Sequence, residues 1–146
     1  MKSDTINILK EELNILDKAI SVLIYSNNKC SKIGIKDNYD KEEMLHFDAL
    51  PNRFSRASYS FIKALALTDK IDMEDSVTQR EIFIKAERIK KIESAKKMTT
   101  ILNLRNEIAG EYNPLRLYAI FKDVLEYSPF LIDNVNRLKE YCKRYE

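Results

Sequence analysis

The sequence predicts an all-α fold on three observations. Glycine and proline are scarce, apolar residues recur at three- and four-residue intervals, and helix-capping residues stand where those patterns begin. Only 2 Gly and 3 Pro occur in 146 residues, against usual frequencies of about 7% and 5%. Hairpins, sandwiches and Gly-rich phosphate loops need more such punctuation, so all three are excluded. The length and the 45% hydrophobic content suit one domain spanning residues 1–146.

The first helix is predicted over about residues 4–26, because Ile6, Leu9, Leu13, Leu16, Ile20 and Leu23 follow a 3, 4, 3, 4, 3 spacing. Asn27 to Asp40, with Asn27-Asn28, Gly34 and Asp37-Asn38, reads as a loop. A second helix over about 41–68 carries Leu45, Phe54, Phe61 and Leu65, and Pro51 within it predicts a break or kink near Leu50. Thr68 to Ser76 is a polar connection. Thr78-Gln79-Arg80-Glu81 matches a capping box and opens a third helix near residue 79. Helical spacing continues to Ala109, with a possible join near Glu93-Ser94. Asn113-Pro114 and Ser128-Pro129 each place a capping residue before proline, predicting two further short helices. The expected architecture is a bundle of four long helices plus one or two short ones.

Charge and composition narrow the function classes. Lys+Arg total 25 and Asp+Glu 23, a net of +2, so any nucleic-acid surface must be a local patch rather than a whole-molecule field. No apolar run approaches the roughly 18 residues needed to cross a bilayer. No secretory leader pattern opens the chain, so a cytoplasmic location with reduced Cys30 and Cys142 is expected, and no membrane partner. A single histidine, His46, leaves no His-rich metal site and no catalytic triad independent of that residue. No metal and no cofactor is expected.

The residues that carry chemistry lie at Leu104-Arg105-Asn106-Glu107-Ile108-Ala109-Gly110-Glu111-Tyr112. If the helix continues, Arg105 and Tyr112, seven apart, nearly superimpose, and Asn106 and Gly110 share an adjacent strip. Arg, Asn and Tyr would then share one side beside the gap left by Gly110.

This segment resembles the motif of HEPN domains from prokaryotic toxin–antitoxin pairs encoded beside a minimal nucleotidyltransferase antitoxin. Their signature is R-x-x-x-x-H-x-Y, often close to R-N-x-x-A-H-x-Y. Arg105, Asn106, Ala109 and Tyr112 match, while Gly110 stands where the His belongs. The run from Phe47 to Arg56 resembles the family's second-helix pattern, Ala86-Glu87-Arg88 the segment before the motif helix, and Tyr118 to Tyr141 its tail. The resemblance implies a HEPN-like helical homodimer with a composite, metal-independent endoribonuclease site. Arg105 would stabilise the phosphate, Asn106 would orient substrate, and position 110 would be the missing general acid or base. Tyr112 would be the tyrosine that the antitoxin modifies with AMP.

The chemistry is coherent. Attack by a ribose 2′-OH needs a proton acceptor near neutral pKa and a permanent cation for the phosphorane charge. Glycine supplies no proton transfer, and losing that catalysis typically costs about 10²–10⁴ in rate, so this RNase is expected to be inactive as written. Either the protein has become a binding partner, or position 110 carries a disabling substitution. The alternative function is a non-catalytic helical module that binds a nucleotidyltransferase and presents nucleotide or substrate to it.

Other residues admit two readings each. Arg105 also fits a surface arginine near Glu107, and Tyr112 a half-buried residue covering the next helix. Lys90, Lys91, Lys96 and Lys97 form a net positive stretch that could steer RNA or simply be solvated. His46 reads as structural. Tyr118, Tyr127, Tyr141 and Tyr145 could stack on bases or pack.

Overall fold

The computed structural model describes residues 2–110 and 113–146, and among these every regular element is helical. Helix α1 spans Lys2–Ile33, α2 Lys41–Ile71, α3 Gln79–Arg88, α4 Ala95–Ala109 and α5 Leu117–Cys142. Single 3₁₀ turns cover Pro114–Arg116 and Lys143–Tyr145. Among the described residues no helix is long and apolar enough to cross a membrane.

The predicted apolar stripe of α1 is the one that packs: Leu9, Leu16 and Leu23 are buried and Ile6, Leu13 and Ile20 lie against the same core. Cys30 extends this row by another seven residues, so the helix continues to Ile33, through the first half of the stretch expected as a loop, and only residues 34–40 are a connection. It ends at Gly34, whose φ of +80° suits a residue without Cβ and whose N–H reaches the Cys30 carbonyl at 2.8 Å. The chain reverses, and Asp40 and Glu43 form a complete capping box that starts α2.

Two proline predictions are corrected. Pro51 does not interrupt α2, and Pro129 does not open a new helix but lies inside α5. An interior proline costs ~3 kcal/mol or more through its missing donor and ring clash. Buried residues on both sides offset this: Phe47, Leu50 and Phe54 around Pro51, and Val124, Leu131 and Val135 around Pro129. Ser128, predicted as a cap, instead donates its hydroxyl to the Val124 carbonyl at 2.6 Å. Asn113 does cap, accepting from the Leu115 N–H at 2.9 Å.

Thr78 caps α3 through the Glu81 N–H at 3.2 Å, but the Glu81 carboxylate takes the Val77 N–H, so only one arm of the predicted box forms. The helical run breaks near Glu93-Ser94, where the sequence places a join. Helix α3 ends at Arg88, and Ser94 caps α4 by accepting from Lys97. Asn134 of α5 holds the Glu93 N–H at 2.8 Å, and Glu87 holds the Ala95 N–H at 2.8 Å, fixing the direction in which α4 starts. Met98, Ile101, Leu104 and Ile108 then bury one face of α4.

Behind this lead-in sits a polar hub. Asp72, just past α2, accepts from the hydroxyls of Tyr141 and Tyr145 at 2.6 Å each and pairs with Lys91 at 2.8 Å. Lys91 is buried and also reaches the Thr68 hydroxyl at 3.1 Å. Burial alone would raise the Asp72 carboxyl, but the hydrogen bonds from Lys91, Tyr141 and Tyr145 together hold it below its ordinary value.

Candidate functional site

The α1–α2 pair creates the site through a second row on α1. Thr5, Glu12, Ala19 and Ser26 recur every seven residues beside the leucine row, and they are small or polar. Glu12 and Ser26 of this row hold α2. The Ser60 hydroxyl donates to the buried Glu12 carboxylate at 2.6 Å, Lys63 pairs with the same carboxylate at 3.2 Å, and Arg53 donates to the Ser26 hydroxyl at 2.7 Å. Ala19, midway between Glu12 and Ser26, cannot span the gap. A groove of about 650 Å³ opens over it, walled by Ile15 and Val22 of α1 and by α2.

Arg53, Arg56, Tyr59 and Lys63 of α2 line this groove, and Arg105 reaches it from α4. Lys18 adds a further cation from α1. Glu12 is the one carboxylate in the lining, and it is already held by Ser60 and Lys63. Arg56, Lys18 and Arg105 pair with no carboxylate among the described residues. The groove is therefore positively charged although the chain is almost neutral.

Arg105 is the most constrained of these cations. Its guanidinium lies 5.0 Å from the centre of the Tyr59 ring, its Nη1 donates to the Asn106 side chain at 3.1 Å, and its Nε is buried with no acceptor among the described residues. Glu107, the neighbour that offered a bland surface-pair reading, turns to Arg116 instead, at 2.9 and 3.1 Å. Those two bonds hold the Glu107 carboxyl below the usual carboxylate range and leave Arg105 with no carboxylate partner among the described residues. Tyr59, Lys63 and Arg105 also line a second cavity of about 280 Å³ with Ile62, Gln79 and Leu102, so they form the divide between two depressions.

The structure brings Arg105 and Asn106 together and places Gly110 differently from expectation. Helix α4 ends at Ala109, and Gly110 is its cap, with φ −91° and ψ −174°. The helical register assumed through position 112 therefore stops short of it. Tyr112 lies outside the described residues. Among the described residues a Cβ at position 110 would meet the Asn106 carbonyl, at 3.4 Å, and the Glu107 carbonyl, at 3.9 Å, which is ordinary contact. Neither the φ of Gly110 nor its described neighbours demand glycine here.

The four lysines are not one surface. Lys91 is buried on Asp72, which removes it from any RNA-contacting role. Lys97 lies 5.3 Å from the Phe130 ring centre, and Lys96 lines a separate depression between α3 and α4. His46 sits thirteen residues before Tyr59 on α2, ~20 Å along the axis, and cannot replace a catalyst beside Arg105. Among the described residues no cluster of three His, Cys, Asp or Glu could hold a metal. Sequence reasoning missed Arg53, Tyr59 and Lys63 as site residues. Part of the signal was present, since Arg56, Tyr59 and Lys63 share one strip of α2 on the side away from the buried Ala57 and Phe61.

Compared with protein-family models, with curated proteins and with solved structures, the chain matches none.

Proposed function

We propose that this protein is the toxin component of a HEPN-type toxin–antitoxin pair, an endoribonuclease module whose phosphate-binding half is intact and whose proton-transfer half is missing at Gly110. The observation that carries this reading is the Arg105 guanidinium, which has no carboxylate partner among the described residues and faces a groove lined by further cations. A phosphorane needs such a group. Asn106, bonded to Arg105, fixes its fork. Homodimerisation comes with the same reading. The antitoxin, its modification of Tyr112 with AMP and a cytoplasmic setting belong to the same proposal.

The test is cleavage of mixed total RNA in EDTA by this protein, by Gly110→His, and by Gly110→His combined with Arg105→Ala. Cleavage that appears only with histidine and disappears without Arg105 supports the reading. A second reading is favoured by Gly110 itself, which has no side chain to move a proton: a non-catalytic module that binds a nucleotidyltransferase. Silence of the histidine variant would put that reading first.

A further inference from the structure

We infer that the α1–α2 groove is a subsite for single-stranded RNA, with an unpaired base stacked on Tyr59 and the adjoining phosphates along Arg53 and Arg56, beside Arg105. This deepens the endoribonuclease reading and rests on it, because it names the form of RNA that the Arg105 site accepts.

Three observations carry the assignment. Tyr59 is 52% exposed although it sits on the cation of Arg105, so its ring offers a fixed aromatic surface rather than a core contact. The arginine beneath also limits the ring's freedom, and less ordering remains to be done when a base arrives. Next, the cations run along α2 rather than clustering at a point: Arg53 and Arg56 lie one turn apart, with Tyr59 following at the next turn. Arg53 is steadied by Ser26, whereas Arg56 is exposed and without a partner among the described residues. A row of cations followed by an exposed ring grips a strand through its backbone and a base together. Finally, Tyr59, Lys63 and Arg105 divide two depressions, so a strand that crosses the divide presents a phosphodiester to Arg105 with a nucleotide on each side.

The geometry separates unpaired from paired RNA. In a duplex the faces of the bases are covered by stacking, and only backbone and groove edges reach a protein. A base must be unpaired to lie on Tyr59. An acidic protein segment would satisfy the arginines but would gain little from the ring.

The experiment is fluorescence anisotropy with a labelled 12-nucleotide single-stranded RNA of mixed sequence and a hairpin of the same composition. The proteins are the full chain, Tyr59→Ala, Tyr59→Phe, Arg56→Gln and Arg105→Ala, each checked for folding by circular dichroism. Tyr59→Ala is expected to weaken the single strand about 5- to 150-fold, the range for losing one base–aromatic stack. Tyr59→Phe should bind as the parent does. Arg56→Gln should lower the salt dependence of binding by about one phosphate contact. The hairpin should bind more weakly and ignore Tyr59. If RNA binds and Arg105→Ala weakens it while the Tyr59 and Arg56 variants do not, the subsite is wrong and the RNA reading survives. If a polyglutamate peptide displaces RNA and Tyr59→Ala changes neither affinity, the groove is a protein-docking surface instead. If no RNA binds and Gly110→His cuts none, the functional reading fails and the subsite fails with it.

Discussion

The guanidinium of Arg105 lies 5.0 Å from the centre of the Tyr59 ring, so the motif cation of α4 rests on an aromatic face that α2 supplies. A contact of this kind contributes ~0.5–1 kcal/mol at a partly exposed site. Urea denaturation of Arg105→Ala, Tyr59→Ala and the double variant should give a coupling energy in that range. Strict additivity would show that the two side chains are merely adjacent.

Position 110 should accept a side chain. Its φ of −91° is open to any residue, and an added Cβ makes only ordinary contacts. Gly110→Ala is expected to stabilise the fold by ~0.4–1 kcal/mol, mainly by restricting the unfolded chain. A thermal melt that moves downward would reveal a constraint on this residue that the described neighbours do not impose.

The hub at Asp72 predicts a larger loss. Asp72→Asn leaves Lys91 buried without its counter-charge, and Asp72 itself keeps some contact with solvent. We expect a cost of about 2–3 kcal/mol, at or below the low end for breaking a buried pair. Chemical denaturation measures it directly, and a change below about 0.5 kcal/mol would place the hub among ordinary surface substitutions.

The same hub predicts opposite limbs of pH dependence. Asp72 titrates below its ordinary 3.8 in the folded protein, so its contribution is complete above that pH and is lost as pH falls further. Tyr141 is pushed up to about 12 by burial and by its bond to Asp72, so its neutral hydroxyl contributes fully below pH 10 and is lost as pH rises through 12. Denaturation midpoints against pH should show both limbs in the parent and weaker ones in Asp72→Asn.

Burial pushes both Cys30 and Cys142 up to about 11. At pH 8 a thiol reagent should leave the native protein unlabelled and should modify both cysteines once it is unfolded. Rapid labelling of the native state would mean that one of these helices opens readily.

Helix class and the α1 core stripe were legible because Leu9, Leu16 and Leu23 repeat at a period set by backbone geometry alone. The prolines misled for a reason that also lies in packing. A local rule predicts breaks at Pro51 and Pro129, and only the burial of Phe47, Phe54, Val124 and Leu131 on either side overrides it. Arg105 and Asn106 stand out in the sequence as polar residues on a helix otherwise patterned for the core. Their partners were not legible, because Tyr59 lies forty-six residues earlier and its strip becomes a groove only when Ala19 of α1 faces it. Lys91 shows the reverse error: a positive run hides one lysine that points inward.

The Asp72 hub joins the last turn of α5, the end of α2 and the segment before α4, three stretches far apart in the chain. If the α2 end or the segment before α4 frays, the Lys91–Asp72 pair breaks, and if the last turn of α5 frays, Asp72 loses two hydroxyl donors and Lys91 loses the Tyr141 ring 4.9 Å away. Amide exchange in residues 89–94 should therefore rise and fall with that of residues 141–145, as one opening unit separate from the α1–α2 pair.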